Sequence, residues 1–106
     1  MILTNIESIP GKKIVNVCGI VSGSTVRAKH AGKDFFAGIK NFFGGEIKSY
    51  TELLEESRKE ATDRMIHQAL TVQANAIINV RYATSAITVG AAEVYAYGTA
   101  VRIEDI

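Results

Sequence analysis

Three side chains in this sequence carry the sulfur and nitrogen donors that a soft or borderline metal ion requires: Cys18, His30 and His67. Their spacing suits that chemistry poorly. The chain has no Cys-x-x-Cys and no His-x-x-x-His, and extended chain separates Cys18 from His30 by up to ~40 Å. They share an ion within one subunit only after a sharp reversal. The ordinary roles are a small core hydrophobe for Cys18 and surface positions for the two histidines. Copies of one thiol gathered around a rotation axis offer the remaining route, which makes Cys18 the metal-ligand candidate.

Arg58 is the next residue of interest. Helical spacing puts it on the apolar side of a long helix, between Leu54 and Ala61. A charge buried there costs several kcal/mol unless paired. Glu93, among small residues on the last strand, is the expected partner in a structural ion pair, within the subunit or with the next. Catalysis finds no motif. There is no Gly-x-Ser-x-Gly, Gly32-Lys33-Asp34 lacks the rest of a phosphate loop, and no spacing selects a triad, so no enzyme is expected. Asn79, Arg81, Thr84 and Ser85 suit either a polar pocket at a subunit boundary or an exposed strand face.

The totals bound the class. The 106 residues form one expected domain, 1–106, with 47% hydrophobic and 22% charged residues, as in globular proteins. Twelve basic against eleven acidic residues leave no field that favours nucleic acid. One cysteine excludes an intrachain disulfide and suits a reducing compartment. The opening Met-Ile-Leu-Thr-Asn-Ile-Glu does not read as a signal peptide, and no apolar run approaches the ~20 residues of a membrane span. A cytoplasmic protein is the expectation.

The elements that must position these residues follow from periodicity. Glu46 to Ala74 contains neither Gly nor Pro, and Ile47, Tyr50, Leu54, Ala61, Met65, Ala69 and Val72 form a helical stripe. Ile2 to Ile6 reads as a short strand closed by a Pro10-Gly11 turn. Lys13 to Ala28 is β-branched and apolar on both faces, and Gly19 and Gly23 within it mark a bulge or the close approach of another backbone. Asp34 to Phe43 holds all four phenylalanines and predicts a short helix. Ala76 to Thr84 and Ala91 to Ile103 alternate as strands joined in an antiparallel hairpin. The result is a two-layer α+β fold. It has a small antiparallel sheet of about three main strands, with one short and one long helix on one face, in the order strand-helix-helix-strand-strand.

Such a subunit does not cover itself. The long helix spans about 43 Å, against a diameter of roughly 34 Å for a compact domain of this length. The odd-numbered face of the last strand, with Tyr95 and Tyr97, also lacks a cover. A cyclic homo-oligomer resolves both.

The residues also resemble a known family. Ile9-Pro10-Gly11, Gly19-Ile20-Val21 and Gly23 open the pattern, and Tyr50, Leu53-Leu54, Arg58, Ala61 and Met65 continue it in the helix. Ala74-Asn75-Ala76, Val80-Arg81-Tyr82, Thr84-Ser85, Ala92-Glu93 and Tyr97-Gly98-Thr99-Ala100-Val101 complete it. The whole resembles the YbjQ-like family of small prokaryotic proteins. The resemblance implies an α/β two-layer subunit assembled as a homopentamer, with a heavy-metal-binding label and no established function. No ligand residue comes with that label. One departure is Gln73, where the family usually has Gly, a residue that eases a left-handed helix cap; Asn75 is the expected substitute.

Overall fold

The computed structural model describes residues 1–28, 46–88 and 91–106. Its elements are β1 (Ile2–Leu3), β2 (Lys12–Ala28), α1 (Glu46–Thr71), β3 (Ala76–Thr88) and β4 (Ala91–Asp105). The strands make one four-stranded sheet in the order β1-β3-β4-β2. β3 and β4 pair antiparallel, as the hairpin reading requires, and β2 pairs antiparallel on the other side of β4. β1 instead runs parallel to β3, with Ile2 opposite Ala76, so the sheet is mixed rather than antiparallel. A parallel neighbour needs a long crossover, and β2 and α1 supply it. α1 is the one helix among the described residues; the expected Asp34–Phe43 helix lies outside them.

The turn at Pro10-Gly11 forms as read. Gly11 has φ +80°, and the Lys12 amide closes the turn on the Ile9 carbonyl at 3.0 Å. The two β2 glycines divide the alternatives between them. Gly19, at φ +118°, sits in a register shift against β4 and is the bulge. Gly23 is where the helix backbone comes close: a Cβ there would stand 2.5 Å from the Met65 nitrogen and 2.8 Å from Arg64 Cβ, and would collide with the Ala61 carbonyl.

That close approach defines the helix packing. Ala61, Met65 and Ala69 are fully buried against Val21, Ile77, Val94, Ala96 and Ala100. Two hydrogen bonds from helix side chains also cap the outer edge of β2. Ser22 N donates to Gln68 Oε1 and Arg64 Nη1 donates to the Ser24 carbonyl, both at 2.6 Å. An edge strand whose polar groups are already bonded offers no template to another chain there.

Among the described residues, the other face of the sheet is covered only at one end. Ala76, Ile78, Val101 and Ile103 form a second buried cluster beneath Ile9. Beyond it the face is open: Val17, Ile20 and Val26 of β2 are 64%, 80% and 62% exposed, beside half-open Tyr95 and Tyr97. The subunit is long and thin, 55 × 23 × 16 Å with a radius of gyration of 17.2 Å, where a compact chain of this length has about 13 Å. This corrects the expected overhang. The 26-residue helix, about 39 Å long, lies along strands of 15 and 17 residues that run longer still.

Candidate functional site

Cys18 is half-buried, next to the Gly19 bulge, and packs against the apolar cluster under the helix. His67 is exposed on the helix, and His30 lies outside the described residues. No group of three or more His, Cys, Asp or Glu side chains among the described residues is placed to hold a metal ion. The described donors of one subunit, a half-buried thiol and one exposed imidazole, do not make up a heavy-metal centre.

Arg58 departs from its expected position. The inward slot of the stripe belongs to Ser57, fully buried one residue earlier, and Arg58 is exposed on the flank of α1. A serine can sit there because its Oγ donates to the Leu53 carbonyl at 2.8 Å, while its own carbonyl accepts from the buried Thr25 hydroxyl at 2.9 Å. Arg58 therefore carries no burial cost within the subunit. Glu93 is half-buried and pairs across strands with Val26 and Ser85, on the face away from the helix. The sheet stands between the two side chains, and among the described residues no ion pair joins them.

Arg81 gains what Arg58 loses. β3 breaks register between Ile78 and Arg81, with Asn79 in the left-handed region at φ +53°. The Asn79 and Val80 amides turn to the N-terminal segment and donate to the Ile6 and Thr4 carbonyls at 3.1 and 3.0 Å. Arg81 Nη1 then donates to the Asn5 carbonyl at 2.7 Å and the Val80 carbonyl at 3.0 Å. The guanidinium stands in an open cleft of about 590 Å³ lined by Leu3, Thr4, Asn5, Val80, Arg81 and Tyr82. It also borders a smaller hollow of about 280 Å³ on the far face, with Ile20, Asn79, Tyr97 and Thr99. Thus Asn79 and Arg81 do line a pocket, whereas Thr84 and Ser85 are exposed strand residues outside it. The wall made by Leu3 to Asn5 is absent from the sequence reading, because it depends on the parallel pairing of β1 with β3.

None of the described helices is long and apolar enough to cross a membrane. The family model described as "putative heavy-metal-binding" matches residues 1–104. A UPF0145 protein of Hahella chejuensis is 61% identical over 104 residues, covering 98% of this chain and all of that one. A UPF0145 protein of Archaeoglobus fulgidus is 52% identical, covering 97% and 95% of the two chains. In three dimensions the chain is similar to a crystal structure of a DUF74-family protein of unknown function from Pediococcus pentosaceus, with a TM-score of 0.64 at 19% identity over 98% of both chains. That likeness concerns the fold alone. On the match across nearly its whole length and the identity to these relatives, the chain belongs to the YbjQ-like family, whose function is not established.

Proposed function

We infer that this protein is a non-catalytic, self-associating subunit, a cytoplasmic cyclic homo-oligomer whose ligand sites depend on a sheet surface that one chain leaves bare. The observation that carries this reading is the uncovered far face, where Val17, Ile20, Val26, Tyr95 and Tyr97 stand together in solvent. Covering each such side chain contributes roughly 1.5–3 kcal/mol, so a second copy laid on this face gains substantially. A further reason is the outer edge of β3, where Arg81 to Ala86 are all exposed and no strand among the described residues pairs beyond them. The low dimensional compactness of the single chain points the same way.

The family description favours a second reading, a heavy-metal-binding oligomer. In this chain that reading requires Cys18 thiols from several copies to meet around an axis. Sedimentation velocity on dilute protein tests the first reading, which expects a folded species heavier than one chain; a stable, folded single chain overturns it. Isothermal titration with Cu(I), Zn(II) and Cd(II), before and after Cys18→Ser, tests the second. Uptake that the substitution leaves unchanged removes Cys18 as the ligand.

A further inference from the structure

The Arg81 cleft is preorganised for one kind of guest. Both hydrogens of Nη1 are bonded to the Asn5 and Val80 carbonyls. The remaining donors, Nε–H and the two Nη2 hydrogens, have no acceptor among the described residues, and no described carboxylate lies within ion-pair distance of Arg81. The Nε–Nη2 edge is the side of a guanidinium that matches the two oxygens of a carboxylate. The two carbonyl bonds hold the head still, so little rotamer freedom remains to be lost when the fork is used. The Asn79 bulge supports this placement, as it re-aims Arg81 toward the N-terminal segment.

The walls refine the guest. Among the described residues the cleft is lined by no acidic side chain, and Leu3 and Val80 give it an apolar side. Its volume falls within the range of about 300–1,000 Å³ usual for small-molecule sites. Thr4, which lines the cleft, accepts through Oγ1 from the Ile6 amide at 3.3 Å, and its hydroxyl hydrogen has no acceptor among the described residues. The amides of Thr4, Asn79 and Val80 are already bonded to carbonyls, so they are not available to cradle a phosphate. A dianion would meet one positive charge and few donors, whereas a monoanion with an apolar body meets a fork, a hydroxyl and an apolar wall.

We propose that the cleft between the N-terminal segment and the β3 bulge is a binding site for a small organic carboxylate, held bidentately by the Nε–Nη2 edge of Arg81 with its apolar part against Leu3 and Val80. The test is titration of the full-length protein with benzoate, and separately with inorganic phosphate, followed by amide chemical shifts. Benzoate is expected to move the amides of Leu3 to Asn5 and Val80 to Tyr82, saturably and more tightly than phosphate. Arg81→Met weakens binding about tenfold or more, the effect of losing a charge-assisted hydrogen bond. Arg81→Lys, which keeps the charge and loses the fork, weakens it as well. Absence of saturable shifts in the wild-type protein overturns the proposal whether or not the variants fold. Shifts centred elsewhere, a folded Arg81→Met variant with unchanged affinity, or phosphate that binds as well as benzoate do so too.

Discussion

Gln73 shows how one side chain works against its backbone. After α1 the amides of Gln73 and Ala74 donate to the Leu70 and Ala69 carbonyls at 3.1 Å each, the paired bonds of a Schellman cap. That cap needs a left-handed residue, and Gln73 adopts φ +63° without the freedom of glycine. Asn75, the expected substitute, is engaged elsewhere. Its side-chain amide donates to the Ile103 carbonyl at 3.0 Å and accepts from the Ile103 amide at 2.7 Å, holding β4 beside the helix exit. Left-handed strain of about 1–2 kcal/mol for a non-glycine residue exceeds the entropy that glycine adds to the unfolded chain. Gln73→Gly is therefore expected to raise stability by about 0.5–1 kcal/mol, read as a higher melting temperature at matched protein concentration. Asp105 gives a smaller, pH-dependent effect. The hydrogen bond from Lys12 and then its positive charge lower the Asp105 pKa below the usual 3.8. A lowered carboxylate pKa adds stability above the unfolded value and loses it as pH falls through the folded one. Asp105→Asn should thus lower the melting temperature slightly at neutral pH and leave it unchanged in strong acid.

At the scale of elements, the helix-to-strand distance is set by what is missing from Gly23. The atoms around its absent Cβ are mostly helix backbone, which cannot swing aside as a long side chain does. Gly23→Ala is expected to cost about 1–3 kcal/mol, measured by urea unfolding with an unchanged slope. The sequence made much of this layer legible. A run of 29 residues without Gly or Pro announced the helix, and two glycines inside a β-branched strand announced a bulge and a close approach. It did not tell which glycine did which, because that depends on the register against β4. Nor did it separate Ser57 from Arg58. The two neighbours compete for one inward slot, and periodicity alone prefers neither; the slot faces buried Thr25, where a serine fits and an unpaired charge does not. The Arg81 cleft was half legible. Asn79 and Arg81 stood out as polar residues in an apolar strand, but the facing wall comes from residues about 75 positions earlier in the chain. No local pattern encodes that pairing.

At the scale of the molecule, Arg58 and Glu93 on opposite sides of the two-layer subunit carry a geometric consequence. A subunit cannot join them internally, but the helix flank of one copy can meet the far sheet face of the next. Such a contact is head-to-tail, and repeated contacts of that kind close into a ring when the rotation allows. The pairing would also place Ile20, Val26 and the tyrosines of one copy beneath its neighbour. Ile20 is 80% exposed, so Ile20→Glu should change the folding of a single chain by no more than about 0.5 kcal/mol. In such a ring the same substitution places a charge in the apolar contact, and it is expected to release folded single chains in sedimentation velocity. Charge reversal probes the proposed bridge separately. Arg58→Glu or Glu93→Arg alone should loosen the assembly, and the double exchange should restore it, since each contact then regains opposite charges. If Ile20→Glu leaves the mass unchanged, the far face is not the interface. If neither reversal shifts assembly, Arg58 is a solvated surface residue, and the ring, where one forms, closes through the free edge of β3.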